Sequence, residues 1–189
     1  MENIKGRIDS ISFNVEGNNI YPDIPNKNLL IEISNKCNNQ CIFCANRRMT
    51  RKIGDISPDL LNKILLESYE LGVREVGFYT TGEPLLNNNL PSYIKMAKSI
   101  GFDYIYITTN GLLANLDKII DLIDLGLNSI KFSINAINSD DYKFIHANNS
   151  FDKVINNLTE LYKYRKECKQ DFNIFVSYVA TKYTEYDNK

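Results

Sequence analysis

The sequence predicts an α/β fold organised around a mainly parallel sheet of about five core strands. Three observations predict it. Short runs rich in Ile, Val, Phe and Tyr alternate with longer stretches of helical period. The repeating order strand, helix, strand favours parallel pairing through right-handed crossovers. The runs are apolar almost throughout rather than alternating, as in a sheet covered on both faces. An open doubly wound sheet and a curved part-barrel both satisfy these observations, and both put function at the C-terminal ends of the strands.

The elements follow in order. Residues 1–27 read as an N-terminal extension, a hairpin turning near Glu16–Asn19. Residues 28–189 read as one core domain, with strands at NLLIEIS (28–34), EVGFYT (75–80), YIYITT (104–109), SIKFSIN (129–135) and NIFVSYVA (173–180). The first helix lies in SPDLLNKILLESYELG, with Ser57 as N-cap, Pro58 in the first turn and Gly72 at the C-terminal end. Its apolar stripe is Leu60, Leu61, Ile64, Leu65 and Leu71. The second helix spans about 90–100 and stops at Gly101; the third spans about 115–125 and stops at Gly126. Residues 139–168 read as two helices, one from SDDYKFIH and one beginning after a Ser150 cap.

Composition bounds the function. The chain has 189 residues, enough for one domain with a sizeable core, and a net charge of −1 that argues against a nucleic-acid partner. The heavy use of Asn reads as a base-composition bias. No stretch looks like a signal peptide or a membrane span, so the expected location is cytoplasmic. Thiols stay reduced there, and cysteine clusters hold metal more often than they form disulfides.

Three cysteines, Cys37, Cys41 and Cys44, lie in KCNNQCIFCANR directly after the first strand. They open a loop from Asn35 to Ile56, and loops of that length in compact domains are usually functional. Thiolates select zinc, copper(I) or iron–sulfur clusters. Structural zinc wants four closed ligands; here the spacing is C-x3-C-x2-C with no second pair. A 4Fe–4S cluster on three cysteines leaves one iron open for substrate or cofactor. Partial zinc ligation remains an alternative. Cys168 is far away in the chain and reads as an ordinary helix residue. Arg47, Arg48, Arg51 and Lys52 beside the cysteines either offset an anionic cluster, receive an anionic substrate group, or are simply a solvated loop.

C-x3-C-x-aromatic-C after the first strand, here Cys37, Cys41, Phe43 and Cys44, resembles the radical S-adenosylmethionine (SAM) superfamily. TTGEP at the end of the second strand resembles the family's GGEP element, with Thr81 in place of the usual first glycine. ITTNG, FSINA and HANNSFDKVINNL follow in family order. The look is closest to the branch that often carries a C-terminal SPASM domain. The resemblance implies a partial (β/α) TIM-like barrel and two cofactors, a 4Fe–4S cluster on Cys37, Cys41 and Cys44, and SAM on its open iron. It implies an enzyme that cleaves SAM reductively to a 5′-deoxyadenosyl radical, which abstracts hydrogen from a peptide, sugar or related metabolite. By the same resemblance Phe43 lies near the adenine, and Thr81, Gly82, Glu83 and Pro84 cradle the SAM amino group. Ser133, Asn135, Thr109 and Asn110 reach the ribose or carboxylate. His146, in a place where many relatives carry Arg, either donates to the carboxylate or is a half-exposed helix-end residue. Val179 covers the adenine or fills core. The implied partners are a small-molecule or peptide substrate and an electron donor such as flavodoxin or ferredoxin.

A full barrel of this type has a sixth strand, and none follows the fifth. The expectation is therefore a shortened barrel, or one completed by a partner. A non-catalytic iron–sulfur or SAM-binding subunit is the competing reading. An open fifth strand without Pro or charge predicts self-association through that edge.

Overall fold

A computed structural model of the chain describes residues 27–168 and 170–179. The expected N-terminal hairpin lies outside the described residues. The elements are β1 (Asn28–Ile31), α1 (Pro58–Glu70), β2 (Glu75–Phe78), α2 (Leu90–Ile100), β3 (Tyr104–Thr109), α3 (Leu116–Asp124), β4 (Ser129–Ser133), α4 (Ser139–His146), α5 (Phe151–Glu167) and β5 (Asn173–Ser177). The strands form one sheet in the order β1-β2-β3-β4-β5, and every neighbouring pair is parallel. Among the described residues, no helix is long and apolar enough to cross a membrane.

Local chemistry sets the helix ends. The Ser57 hydroxyl accepts from the Leu60 N–H at 3.3 Å, with Pro58 in the first turn. Asn115 caps α3 in the same way, on the Lys118 N–H at 3.1 Å. Ser150 occupies the cap position of α5, but its side chain makes no capping bond. α2 ends at Gly101, whose φ of 115° is a left-handed stop that glycine adopts without strain. The stripe expected on α1 is narrower than the sequence predicts. Leu61 and Leu65 are fully buried, whereas Leu60 is 50% and Leu71 63% exposed.

β1 stops at Ile31, three residues early, because the chain beyond it pairs with the returning leg of its own loop. The Ile33 carbonyl accepts from the Ile56 N–H at 3.0 Å, Ser34 bridges Asp55 in antiparallel fashion, and the Asn35 N–H donates to the Gly54 carbonyl at 3.2 Å.

The core lies between the helices and one face of the sheet, where Val76, Phe78, Ile105, Ile107, Ile130 and Phe132 are fully buried. The other face is not a second core. Tyr104, Tyr106 and Thr108 alternate with the buried positions of β3 and are only half-buried, as are Lys131 and Ser133 on β4. The expectation of a sheet covered on both faces therefore fails among the described residues. Tyrosine misled it, because its ring reads as apolar while its hydroxyl suits a wet surface. On β5, Val176 pairs in register with buried Phe132 yet is 57% exposed, because no described element covers it.

Candidate active site

The cysteine loop is built on backbone bonds to distant elements. The Gln40 N–H donates to the His146 carbonyl at 3.2 Å, and the Ile42 N–H to the Ile145 carbonyl at 2.9 Å, so the end of α4 braces the stretch between Cys37 and Cys44. Cys44 begins a single 3-10 turn, Ala45–Arg48, and its sulfur accepts from the Asn46 N–H at 3.4 Å. Asn46 then staples two segments: its amide donates to the Asn35 carbonyl at 2.9 Å and to the Thr81 carbonyl at 3.0 Å. Asn35 holds the returning leg through Lys52 and Gly54, at 2.9 and 2.8 Å.

Cys37, Cys41 and Cys44 are all free and half-buried. Burial, reinforced by the neighbouring thiols Cys37 and Cys44, pushes the Cys41 thiol up to about 12; burial also raises Cys37. Without metal these thiols hold their protons, and binding iron must displace them. Among the described residues no three His, Cys, Asp or Glu side chains converge tightly enough to hold a single metal ion. Three thiols in one loop are a donor set that suits an iron–sulfur cluster. Cys168, at the C-cap of α5, sits among Arg165 and Gln170.

The turn after β2 meets the cysteine loop edge to edge. The Glu83 N–H donates to the Lys36 carbonyl at 2.7 Å. A Cβ on Gly82 would collide with the Ser34 carbonyl oxygen and sit 2.9 Å from the Asn35 Cα. Glycine is needed here for close approach of two backbones within the protein. The Glu83 side chain turns inward and is 2% exposed. Its carboxylate accepts from the Thr109 hydroxyl at 2.7 Å, the Asn110 N–H at 2.7 Å and the Leu85 N–H at 3.1 Å. Burial raises its pKa, which these donors and Lys118 oppose. Glu83 thus ties the end of β2 to the end of β3. Pro84 opens a 3-10 turn and is buried.

The remaining expected site residues divide into two kinds. Thr109, Asn110, Asn135 and His146 are buried and spend their side chains inside the protein. The Asn110 amide donates to Asn38 at 2.6 Å. Asn135, at a φ of 56°, accepts from the Val179 N–H at 2.8 Å. His146 is 1% exposed and stacks on Tyr142, so it is not a half-exposed helix end. Its Nε2 donates to the Ile134 carbonyl at 2.7 Å, which leaves Nδ1 as an acceptor 3.1 Å from the Cys41 sulfur and 3.4 Å from the Asn39 amide. Burial lowers its pKa and keeps the ring neutral. By contrast, Phe43 is 40% exposed, Ser133 is half-buried beside Ser177 at 3.5 Å, and Val179 is 46% exposed rather than core.

Phe43, Cys44, Arg48, Arg51 and Thr81 line a cleft of about 600 Å³. Arg51 is not free there: it forks onto Glu32 at 2.7 and 3.2 Å. Glu32 also accepts from the Thr80 hydroxyl at 2.9 Å and from Thr81. Burial opposes ionisation, but Arg51 and the two hydroxyls hold the carboxyl at about 2. Arg47, Arg48 and Lys52 are exposed. Sequence reasoning missed Glu32, Asn35, Asn39 and Asn46. These asparagines were legible only as composition, yet Asn35, Asn39 and also Asn87 are buried struts of this end of the sheet.

The family model for the radical SAM superfamily matches residues 31–176, and the chain belongs to that superfamily. Its structure has the family's partial-barrel fold. It superposes on BtrN, solved in complex with AdoMet and 2-DOIA, with a TM-score of 0.59 and 24% identity over 79% of this chain and 56% of that one. It superposes on Streptococcus suis SuiB bound to precursor peptide SuiA with a TM-score of 0.65 and 17% identity over 95% of this chain and 44% of that one. Among curated proteins, the probable GTP 3′,8-cyclase of Methanothermobacter marburgensis is 31% identical over 69% of this chain and 42% of its own length. That of Methanococcus vannielii is 37% identical over 61% and 38%. The chain thus spans about two fifths of the length of these relatives. The family's cofactors are a 4Fe–4S cluster and SAM, and the donor set after β1 suits the first of them.

Proposed function

We propose that this chain is the core of a radical SAM enzyme, with Cys37, Cys41 and Cys44 as cluster ligands. One observation carries this reading: the cysteine loop and the Gly82–Pro84 turn are joined by the Lys36–Glu83 backbone bond and by the side-chain staple of Asn46. A cluster and a cofactor chelated to it need the two halves of their site in fixed relation. When bound, the cluster and SAM supply a 5′-deoxyadenosyl radical that abstracts hydrogen from substrate.

The chain's own residues bind, orient and exclude water. Thr81, Gly82, Glu83 and Pro84 offer backbone to the SAM amino group, with Glu83 acting through its buried clamp on Thr109 and Asn110. Phe43, at the mouth of the cleft, suits the adenine. Ser133, whose hydroxyl lies 3.5 Å from that of Ser177, stands where it can turn to the ribose. Asn135, His146, Thr109 and Asn110 serve by holding their neighbours, since their side chains are already engaged.

The relatives' name makes GTP the first substrate to offer. The exposed Arg47, Arg48 and Lys52 suit an acidic donor such as flavodoxin or ferredoxin, and the reduced thiols suit the cytoplasm. A second reading is a non-catalytic cluster- and SAM-binding subunit, consistent with Val176, which no described element covers. The test is anaerobic reconstitution, reduction with dithionite, and chromatographic assay of 5′-deoxyadenosine. Release of 5′-deoxyadenosine is expected. A protein that takes up iron and sulfide and binds SAM but never releases 5′-deoxyadenosine would sink the enzyme reading and leave the second.

A further inference from the structure

On the sheet face turned away from the helices, side chains bridge the lower part, and no described element covers the upper part. Below, Asn28 donates to Glu75 at 3.0 Å and the Tyr106 hydroxyl donates to Asn28 at 2.8 Å. The Tyr106 ring lies across Gly77, where a Cβ would meet ring carbon at 2.6 Å. Above this floor come Tyr79, Thr108, Lys131 and Ser133. The Tyr79 ring stands 5.9 Å from Tyr106, and the Lys131 Nζ lies 5.3 Å from the Tyr79 centroid.

Lys131 sits mid-strand on β4, in register with Thr108 on one side and Phe175 on the other. It is half-buried, and burial pushes its pKa down. Among the described residues no carboxylate pairs with it. The acids on nearby strands are engaged elsewhere: Glu32 by Arg51, Thr80 and Thr81; Glu75 by Asn28; Glu83 by Thr109 and Asn110. The Thr108 hydroxyl beside it is buried without a partner. Half-burial takes part of its hydration from the Lys131 ammonium, and a ring at 5.3 Å is a weak substitute for an anion. Tyr79 runs directly into Thr80 and Thr81, and Thr81 lines the cleft that holds Phe43 and Cys44. Through Tyr79 the lysine thus neighbours the segment that lines that cleft.

We infer that Lys131 is the specificity-determining anchor for an anionic group, a phosphate or carboxylate, on the small-molecule substrate, with Tyr79 as the flat wall beside it. This rests on the radical SAM reading only for the word substrate; the anion site is testable without it. The probes are inorganic pyrophosphate and benzoate, titrated calorimetrically into the oxidised, cluster-loaded chain without SAM or reductant. One of them binds at one equivalent: pyrophosphate if the group is a phosphate, benzoate if it is a carboxylate. Lys131→Met keeps most of the apolar stem and weakens that binding by about tenfold or more, while Lys131→Arg retains it. If benzoate is the probe that binds, Tyr79→Leu weakens it as well, through loss of the flat wall. Circular dichroism of each variant shows that the fold is kept. The inference is overturned if neither anion binds the wild-type chain, or if Lys131→Met binds as well as wild type. Failure to release 5′-deoxyadenosine would count against the enzyme reading and leave these titrations unaffected.

Discussion

Gly82→Ala is the smallest change that separates a ligand-contact glycine from a structural one. The added methyl points at the Ser34 carbonyl oxygen and at the Asn35 Cα, 2.9 Å away. Both are backbone, so no rotamer change relieves the clash. Either the turn after β2 or the end of β1 must move, and the Glu83–Lys36 bond of 2.7 Å lies one residue from the collision. Overpacking of this kind costs about 1–3 kcal/mol. For a chain of this length that is a fall in melting temperature of roughly 2–12 °C. Because Lys36 precedes Cys37, the disturbance reaches the ligand loop, and iron retained after anaerobic reconstitution should fall with it. Gly54→Ala is the control: its Cβ meets nothing within 4 Å, and its expected effect is none or a gain of about 0.4–1 kcal/mol. The assays are thermal unfolding and iron and sulfide analysis. A Gly82→Ala protein that melts like wild type and loads a full cluster would refute the reasoning and return Gly82 to a role confined to the cofactor.

Other predictions follow from the same contacts. Cys41→Ser should abolish iron and sulfide incorporation while Cys168→Ser leaves it intact; equal loss in both would mean that the ligand set is misassigned. Glu32 has a folded pKa near 2, below its ordinary 4.5, so its contribution is present above pH 4.5 and is lost as pH falls toward 2. Glu32→Gln should therefore flatten acid unfolding in that window, discounted for an exposed pair, and an unchanged acid limb would contradict the pairing with Arg51. The 189-residue chain by itself should self-associate through the β5 edge, where Val176 and, one residue past the strand, Tyr178 are 57% and 54% exposed. Light scattering of a monomer, with strongly protected amides at 173–177, would overturn that.

The sequence by itself determined the class of fold, the order of its elements and the family. Periodicity, caps and glycine stops are local, so Ser57, Gly101 and the β3 run YIYITT are readable without knowing what lies opposite them. The three cysteines are readable for the same reason, since their spacing within one loop carries the chemistry. What the sequence could not determine is which polar groups meet across long separations. Asn46 joins Asn35 to Thr81, Glu83 reaches Thr109 and Asn110, and His146 reaches Cys41, over separations from 11 to 105 residues. Asparagine looks alike whether it is solvated or a buried strut, and only the packed structure distinguishes the two. Gly82 is legible as a motif position, but its reason, the Ser34 carbonyl against it, exists only once β1 and β2 lie side by side. The half-buried polar face likewise belongs to tertiary structure. Strand alternation put Lys131 and Tyr106 on one side, but only the packing of the described helices against the other side left Lys131 half-buried there.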